Sequence, residues 1–532
     1  MEHFQLHVNR DLLDPKFEGY KVSMENTYVY SKALQQNLCK RTPSKSMVGL
    51  QQLKVFSGSN NLFRDLTRST NQTTENLYRI LDTGHIQMLV YDKLTKNWKT
   101  SIVGDIDVGE HEDSAFPVNL LFTERNIVVT CNGISTITVF LVVSSSNWVK
   151  MLDEKVLEDK GLALIEARVF KNELVILALS ISGSQGNAFS KIHCITVGLQ
   201  DLDFVENLKI QKQEVFIQRG HFETCTFGND ETIIFLSSKK PQLASEDIYD
   251  EYQWTQEGNT IKATFNLNEE ISKEDIDLNI TDAEVLLSVK GRTVLSGCFF
   301  EEIEGNRVEL CSDPKANTLS LTVHAKEFKK WTYLVTERSE EGWEEKKRGE
   351  AQKETFGADN AAEECDEAES SLFFYWIDEN TGHITKQCDV SGSQVLFVLR
   401  DCLSSATVCL RHNVDGLLLS LNESPPLHLA TLQAFGYVQA SKLNRVWSGS
   451  SPDSKYACIV ENNNRVLLYS QKVEINGTLS NRKTSTTLNH VSKQYLLRIE
   501  CPDPVLGVQL TNSHLFAVTK DQVHVTQLPG FC

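Results

Sequence analysis

The chain has 532 residues and a formal net charge of −18, with 40% hydrophobic and 23% charged side chains. This is the composition of an ordinary globular protein, and the length allows one large core or several. The negative charge disfavours direct binding of nucleic acid, and the longest apolar runs, residues 137–143 and 174–179, are far too short to cross a bilayer.

Residues 1–10 contain charges and histidines but no apolar segment, so we predict no secretory signal and expect the protein in the cytoplasm and nucleus. The thirteen cysteines are an odd number, and no two are spaced as Cys-x-x-Cys. Buried free thiols are therefore predicted, with no zinc site. No cofactor is expected either.

Short apolar segments separated by Gly, Asn and Asp recur along the chain. Each is typical of two strands joined by a tight turn. Examples are residues 80–86, 227–234, 375–384 and 459–467. The sequence Thr83-Gly84-His85-Ile86 recurs as Thr381-Gly382-His383-Ile384, each time within such a hairpin, which predicts one repeating unit in both halves of the chain.

Many hairpins and few helical patterns favour a β-propeller of four-stranded blades. At about 40–45 residues per blade, residues 1–245 and 372–532 supply seven or eight blades, which we expect to close into one ring. Ring closure also leaves no long strand edge exposed. Two separate β domains are the alternative.

Residues 246–337 lie between these segments and have a different pattern. Apolar residues alternate strictly with polar ones over residues 261–267 and again over residues 319–323. A period of two indicates antiparallel strands with one buried face. The predicted fold is therefore all-β, a propeller interrupted between two blades by a β-sandwich.

Four features of this module resemble the CS domain, the β-sandwich of the NudC family and of the p-twenty-three type of co-chaperone. They are Tyr252-Gln253-Trp254, Lys273-Glu274-Asp275-Ile276, Leu295-Ser296-Gly297, and Trp331 followed by Leu334. The resemblance implies protein binding, with Tyr252, Trp254 and Trp331 as signature residues. Because aromatic side chains at the edge of a sandwich usually pack on its core, we predict a mainly structural role for these three, with partner contact as the alternative.

Residues 339–370 are strongly acidic, with twelve acidic and four basic side chains and few apolar ones. Such a segment buries too little apolar surface to offset the entropy lost on ordering. A mostly disordered acidic linker is therefore predicted over residues 338–371.

Two groups of residues resemble catalytic motifs. Asp82-Thr83-Gly84 matches the surroundings of an aspartic-protease carboxylate, but that chemistry needs a second Asp, and the corresponding later position is Asn380. The second group is Cys409, His412 and Asp415, which could supply a thiol nucleophile and a histidine base. These residues flank one predicted turn, whereas catalytic partners usually come from distant parts of the chain. We therefore predict two turns and no enzyme.

Segments outside the sandwich also resemble the NudC family. They are residues 12–21, 409–415, 435–442 and 503–507. The resemblance implies a non-enzymatic, co-chaperone-like adapter whose partners are other proteins, such as chaperones of the heat-shock protein 90 class or multi-protein assemblies. It implies neither direct nucleic-acid binding nor membrane insertion. A structural scaffold subunit of a stable complex is the alternative function.

Overall fold

In a computed structural model of the chain, the residues divide into two compact units. The first comprises Met1–Ser182, Phe189–Leu243 and Ala368–Cys532, and the second comprises Gly183–Ala188 and Ala244–Glu367. The structure describes residues 2–13, 21–23, 28–44, 49–65, 73–109, 115–145, 147–157, 161–182, 189–199, 208–228, 232–244, 252–266, 275–289, 292–313, 318–331, 334–336, 371–379, 381–401, 404–433, 435, 444–480, 485 and 487–530. Residues 338–370 of the predicted acidic linker, and Asn380, lie outside these ranges.

The first unit begins with short elements that precede any complete sheet. They are β1 (Glu2–Gln5), a 3-10 helix (Arg10–Leu12), β2 (Lys21–Val22), β3 (Tyr30–Ala33) and helix α1 (Leu50–Ser57). The start of α1 is capped because the Gln52 side chain accepts the Gly49 N–H at 3.1 Å. The helix ends at Gly58, whose N–H donates to the Lys54 carbonyl at 2.9 Å.

Three antiparallel sheets follow in chain order, and we name them blades 1 to 3. Blade 1 contains β4 (Phe63–Arg64), β5 (Thr74–Ile80), β6 (His85–Asp92) and β7 (Asn97–Asp105). Blade 2 contains β8 (Asn119–Phe122), β9 (Ile127–Cys131), β10 (Thr136–Ser144) and β11 (Asn147–Lys155). Blade 3 contains β12 (Leu162–Phe170), β13 (Glu173–Ser182), β14 (Phe189–Gly198) and β15 (Ile210–Gln218). Blade 4 then starts with β16 (Phe222–Phe227) and β17 (Thr232–Ser237), after which β18 (Gln242–Leu243) joins the edge of blade 3.

The second unit is a sandwich of two four-stranded antiparallel sheets. Its strands are β19 (Tyr252–Glu257), β20 (Thr260–Asn266), β21 (Ile276–Ile280), β22 (Glu284–Val289), β23 (Arg292–Phe299), β24 (Glu309–Asp313), β25 (Thr318–His324) and β26 (Val335–Thr336). One sheet has the order β19-β20-β25-β24, and the other has the order β21-β22-β23-β26. Both sheets contribute to one apolar core that includes Phe265, Leu287 and Leu321.

The first unit resumes after the sandwich and completes four more blades. Blade 4 gains β27 (Phe373–Asp378) and β28 (Ile384–Asp389). Blade 5 contains β29 (Val395–Asp401), β30 (Ser404–His412), β31 (Asp415–Ser420) and β32 (Leu427–Leu432). Blade 6 contains β33 (Arg445–Ser450), β34 (Tyr456–Glu461), β35 (Arg465–Ser480) and β36 (Thr487–Arg498). Blade 7 contains β37 (Gly507–Leu510), β38 (His514–Val518) and β39 (Gln522–Gln527), with β3 as its outermost strand.

The seven blades form a closed ring. Each pair of neighbouring blades shares a buried apolar cluster, and one of these clusters joins blade 7 to blade 1 through Phe516, Leu89 and Trp98. The first strands of all seven blades line one central cavity. The predicted propeller interrupted by a CS-type sandwich is therefore confirmed, with seven blades in the described residues.

Two expectations about the repeats were wrong in detail. The sandwich is inserted inside blade 4 and not between blades, because β17 pairs directly with β27, with Ser237 opposite Phe373. The chain thus leaves blade 4 and returns to it at one end of a strand pair, where sheets tolerate insertions.

The repeated Thr-Gly-His-Ile sequence does form a turn twice, with Gly84 at φ +85° and Gly382 at φ +68°. The first turn joins strands two and three of its blade and the second joins strands three and four, so the two are not equivalent repeats.

Candidate interaction surfaces and the propeller channel

Trp331 lies inside the core of the sandwich. It is 3% exposed, and the centroid of its ring system lies 6.1 Å from that of Phe299 and 6.0 Å from that of Phe300. Its backbone N–H donates to Gln256 Oε1 at 2.9 Å, and Gln256 Nε2 donates to the Lys329 carbonyl at 2.7 Å. These contacts fasten the segment around Trp331 to β19.

Tyr252 and Trp254 lie on β19, half-buried against the same core. The ring of Tyr252 is 5.3 Å from that of Phe265, and Trp254 pairs in register with Ala263 on β20. Both side chains keep a solvent-accessible part. A role for Tyr252, Trp254 or Trp331 in partner contact therefore stays a prediction.

The sandwich also presents an exposed aromatic residue that the sequence analysis missed. Phe328 is 74% exposed and lies in residues 326–330, which we call the sandwich loop. The loop is held by Lys326, whose Nζ lies 2.6 Å from Asp282 Oδ2 and 2.9 Å from Glu302 Oε2. The hydrogen bond from Lys326 lowers the pKa of Asp282. The loop thus combines an apolar side chain with lysines on an otherwise acidic protein.

In the propeller, exposed apolar side chains concentrate on the outer edges of three consecutive blades, which we call the rim surface. They are Leu427 and Leu429 on blade 5, Val22 and Leu496 on blade 6, and Tyr28 and Tyr30 on blade 7. Lys96 Nζ lies 5.0 Å from the centre of the Tyr30 ring. Large exposed apolar residues that cluster on one surface mark an interaction site more often than scattered ones do.

The N-terminal segment contributes to this edge. β1 pairs parallel with β28 of blade 4, β2 pairs parallel with β36 of blade 6, and β3 pairs antiparallel with β39 of blade 7. Between β1 and β2, the Asn9 N–H donates to His428 Nδ1 on blade 5 at 3.2 Å. The segment therefore follows four consecutive blades and covers strand edges that would otherwise pair with other chains.

The central channel of the first unit contains a cavity. Its cavity has a volume of about 660 Å³ and is lined by the first strands of the blades and by helix α1. Val55 of α1 packs against the cluster between blades 3 and 4. Just after the helix, the Asn61 amide donates to the Leu506 carbonyl of the blade 7 region at 2.9 Å. Helix α1 and the residues after it thus join opposite parts of the ring beside the cavity.

A charged cluster connects α1 to blade 4. Lys54 Nζ lies 3.0 Å from Glu223 Oε1, and His221 Nε2 lies 2.5 Å from the same oxygen. Burial acts to raise the pKa of Glu223, but hydrogen bonds from His221 and Lys54 outweigh it and hold that pKa below its ordinary value. The cluster holds an ionised carboxylate at the wall of the channel.

The two motifs that resemble catalytic sites are turns in the structure. Asp82, Thr83 and Gly84 lie in the turn between β5 and β6, where the Gly84 N–H donates to the Leu81 carbonyl at 2.9 Å. In blade 5, His412 and Asp415 pair across the turn between β30 and β31.

Cys409, the thiol of that second motif, is fully buried in the cluster between blades 5 and 6. Burial raises the pKa of its thiol well above the ordinary value. A buried, protonated thiol is a poor nucleophile. Neither motif therefore assembles the groups that its resemblance requires.

Within the described residues, no group of three or more His, Cys, Asp and Glu side chains is placed to hold a metal ion. In the same part of the chain, no helix has the length and apolar character needed to cross a membrane.

Comparisons with known proteins find one matching domain and several similar full-length proteins. Residues 250–316 match the CS domain. The chain is 26% identical to mouse NudC domain-containing protein 1, with 97% of each chain covered, and 24% identical to the Xenopus laevis protein of that name, with 98% of each covered. The predicted resemblance to the NudC family is confirmed.

Solved structures also resemble parts of the chain. The WD40 domain of SCAP from fission yeast aligns with 94% of this chain and 98% of its own, at 10% identity and a TM-score of 0.29. The nuclear movement protein from E. cuniculi GB-M1 aligns with 16% of this chain and 98% of its own, at 19% identity and a TM-score of 0.15.

Proposed function

We propose that the protein is a non-catalytic adapter that binds other proteins through the rim surface of its propeller and through the sandwich loop. The observation that carries this proposal is the concentration of exposed apolar side chains on three consecutive blades. Burying such side chains against a partner removes apolar surface from water, which is the main favourable term in protein association. The CS domain and the likeness to NudC-family proteins support the same kind of function.

Two surfaces on one chain give an adapter its physical advantage. When both surfaces engage one assembly, the second contact forms at a high effective concentration, so two modest affinities give tight binding. By resemblance to the family, we propose a co-chaperone-like role in the cytoplasm and nucleus, with chaperones of the heat-shock protein 90 class or multi-protein assemblies as partners.

The test compares full-length tagged variants in quantitative affinity capture from native lysate. The rim variant is Leu427→Ser with Leu429→Ser, the loop variant is Phe328→Ser, and the control is Val143→Ser. Val143 is 61% exposed and lies on β10 of blade 2, whereas the rim surface lies on blades 5 to 7. We expect the rim variant to lose its partners by about tenfold or more, because two buried leucines contribute several kcal/mol. We expect the control to retain them.

Equal capture by the wild type, the rim variant and the loop variant would overturn the proposal. Capture of one stable complex at fixed stoichiometry, unchanged by either set of substitutions, would support the scaffold alternative instead.

A further inference from the structure

The side chains that line the propeller channel have a net positive charge, whereas the chain as a whole has a net negative charge. The chain has a net charge of −18. The cavity, by contrast, is lined by four cationic side chains and two carboxylates among the described residues. They are Lys54, Arg64, Arg400 and Arg445, with Glu166 and Glu223. A positive interior in a negative protein indicates a local function for those cations.

Two of the four cations already have ionic partners. Lys54 pairs with Glu223 at 3.0 Å. Arg64 pairs at 3.2 Å with Glu75, a buried residue outside the cavity lining. These two cations therefore need no further counter-ion.

The remaining two cations, Arg400 and Arg445, are different. Arg400 lies near the end of β29 and donates from one terminal guanidinium nitrogen to Thr224 Oγ1 at 2.6 Å. Arg445 begins β33 and donates to the Leu396 carbonyl at 3.2 Å. Both acceptors are neutral. In the described part of the chain, no carboxylate oxygen lies within 4.0 Å of either guanidinium.

The channel carboxylate whose charge acts on Arg400 is already engaged. Glu166 forms a buried ion pair with Arg168, with Arg168 Nε 3.2 Å from Glu166 Oε1. The surrounding protein displaces water from Arg400 and so lowers its pKa, and the charge of Glu166 offsets only part of this effect. Burial likewise lowers the pKa of Arg445, with a partial offset from Glu223. The fold thus holds two guanidinium groups at the cavity wall without direct counter-ions. By accessible surface Arg445 is half-buried and Arg400 is exposed, so the cost in free energy is that of partial desolvation.

The geometry of the cavity indicates what relieves this cost. A guanidinium presents a planar fork of donors that matches carboxylate and phosphate oxygens. A volume of about 660 Å³ is in the range of sites that hold small organic molecules. Apolar side chains such as Leu121, Val398 and Trp447 complete the wall. We propose that the channel binds a small molecule carrying two or more oxyanion groups, which Arg400 and Arg445 hold.

This site is independent of the adapter surfaces and is tested with the purified full-length protein. Isothermal titration calorimetry at fixed ionic strength compares inositol hexakisphosphate, citrate and sulfate. We expect saturable binding of one molecule of inositol hexakisphosphate or citrate, at least about tenfold tighter than sulfate, because several charge-assisted hydrogen bonds act together. Preference between the first two ligands distinguishes phosphate from carboxylate groups.

Variants assign the binding to the channel. Arg400→Gln and Arg445→Gln should each weaken binding at least about tenfold. Arg411→Gln should leave binding unchanged. Arg411 is exposed on β30 of blade 5, the blade of Arg400, and does not line the cavity. Each channel variant should melt at or above the wild-type temperature without ligand, because a partly desolvated charge that lacks a direct counter-ion is removed. If a Gln variant does not fold, Arg445→Lys replaces it, since lysine keeps the charge but loses the bidentate fork.

Three results would overturn the proposal. The first is the absence of saturable binding of both polyanions. The second is equal weakening by Arg411→Gln and the channel variants. The third is a Gln variant that folds, melts below the wild type and still binds the polyanion with wild-type affinity, because the arginine would then serve stability alone.

Discussion

The sandwich and the propeller are both all-β, but they build their cores in different ways. The sandwich draws all eight of its described strands from residues 252–336, and their inward faces meet in one apolar cluster. The propeller spreads its core over seven clusters between blades, and three of its blades combine distant parts of the chain. Blade 4 joins β17 to β27, blade 6 joins β2 to β36, and blade 7 joins β3 to β39. The sandwich is thus specified locally, whereas the propeller depends on long-range closure.

The sharpest way to break this closure is Phe516→Ala. Phe516 is fully buried in the cluster between blades 7 and 1, with its ring 5.6 Å from Tyr91 and 5.9 Å from Trp98. We expect the free energy of unfolding to fall by about 3–5 kcal/mol, as for other buried Phe→Ala changes. Denaturant titration measures it.

Phe328→Ala is the matched control for this substitution, because Phe328 is exposed and its loss should change stability by less than about 0.5 kcal/mol. Equal effects of the two substitutions would contradict closure through the cluster of blades 7 and 1.

The corresponding change in the sandwich is Phe265→Ala. Phe265 is fully buried and pairs in register with Leu319. The expected cost is again about 3–5 kcal/mol, but it should be confined to the sandwich. Hydrogen–deuterium exchange should accelerate in β19, β20 and β25 and stay unchanged in blades 1 and 7. Acceleration throughout the propeller would show that the two cores do not fold as separate units.

Glycine substitutions test the turns of the propeller with a smaller effect. Gly84 has a φ of +85°, and an added Cβ would lie 2.2 Å from the Ile106 carbonyl oxygen. Gly392 has a φ of +76° with no atom within 4 Å of such a Cβ. Gly392→Ala should cost about 1–2 kcal/mol from the left-handed backbone alone. Gly84→Ala should cost more, because a backbone atom must also move.

Thermal unfolding of both variants measures the difference. A Gly84→Ala variant as stable as Gly392→Ala would show that the turn between β5 and β6 is looser than described.

The remaining prediction concerns pH and blade 7. Burial lowers the pKa of His514 and of His524 to about 4, from 6.5. Both therefore bind a proton less readily in the folded than in the unfolded chain. The free energy of unfolding should fall as the pH decreases from about 6.5 to about 4. His524 Nδ1 lies 2.7 Å from Ser31 Oγ on β3, so the pairing of the N-terminal strand should weaken first.

Denaturant titrations across this pH range, repeated on His514→Gln with His524→Gln, measure the contribution. The double variant should lose part of the slope. An unchanged slope would assign the pH dependence to other groups.

The local organisation of the sandwich could be predicted from the sequence. The alternation over residues 261–267 and 319–323 became β20 and β25, which are neighbours in one sheet. Hairpin turns in the propeller were visible for the same reason, because turn residues and alternation are local signals.

Features that depend on distant pairing could not be predicted. The insertion point in blade 4 requires knowing that β17 pairs with β27. The N-terminal strands β1 and β2 are four and two residues long, too short to carry a periodic pattern. Arg400 and Arg445 look like any surface arginines in the sequence, and only the ring brings them to one cavity.

Cross-linking mass spectrometry on the captured complex tests the central claim, that the rim surface and the sandwich loop contact protein partners. Lys96 beside Tyr30, Lys493 on β36 of blade 6 and the exposed Lys330 in the sandwich loop supply reactive amines at these surfaces. The adapter account predicts that cross-links to partners concentrate at these lysines. Cross-links confined to lysines on blades 2 and 3, with none at these three positions, would contradict it.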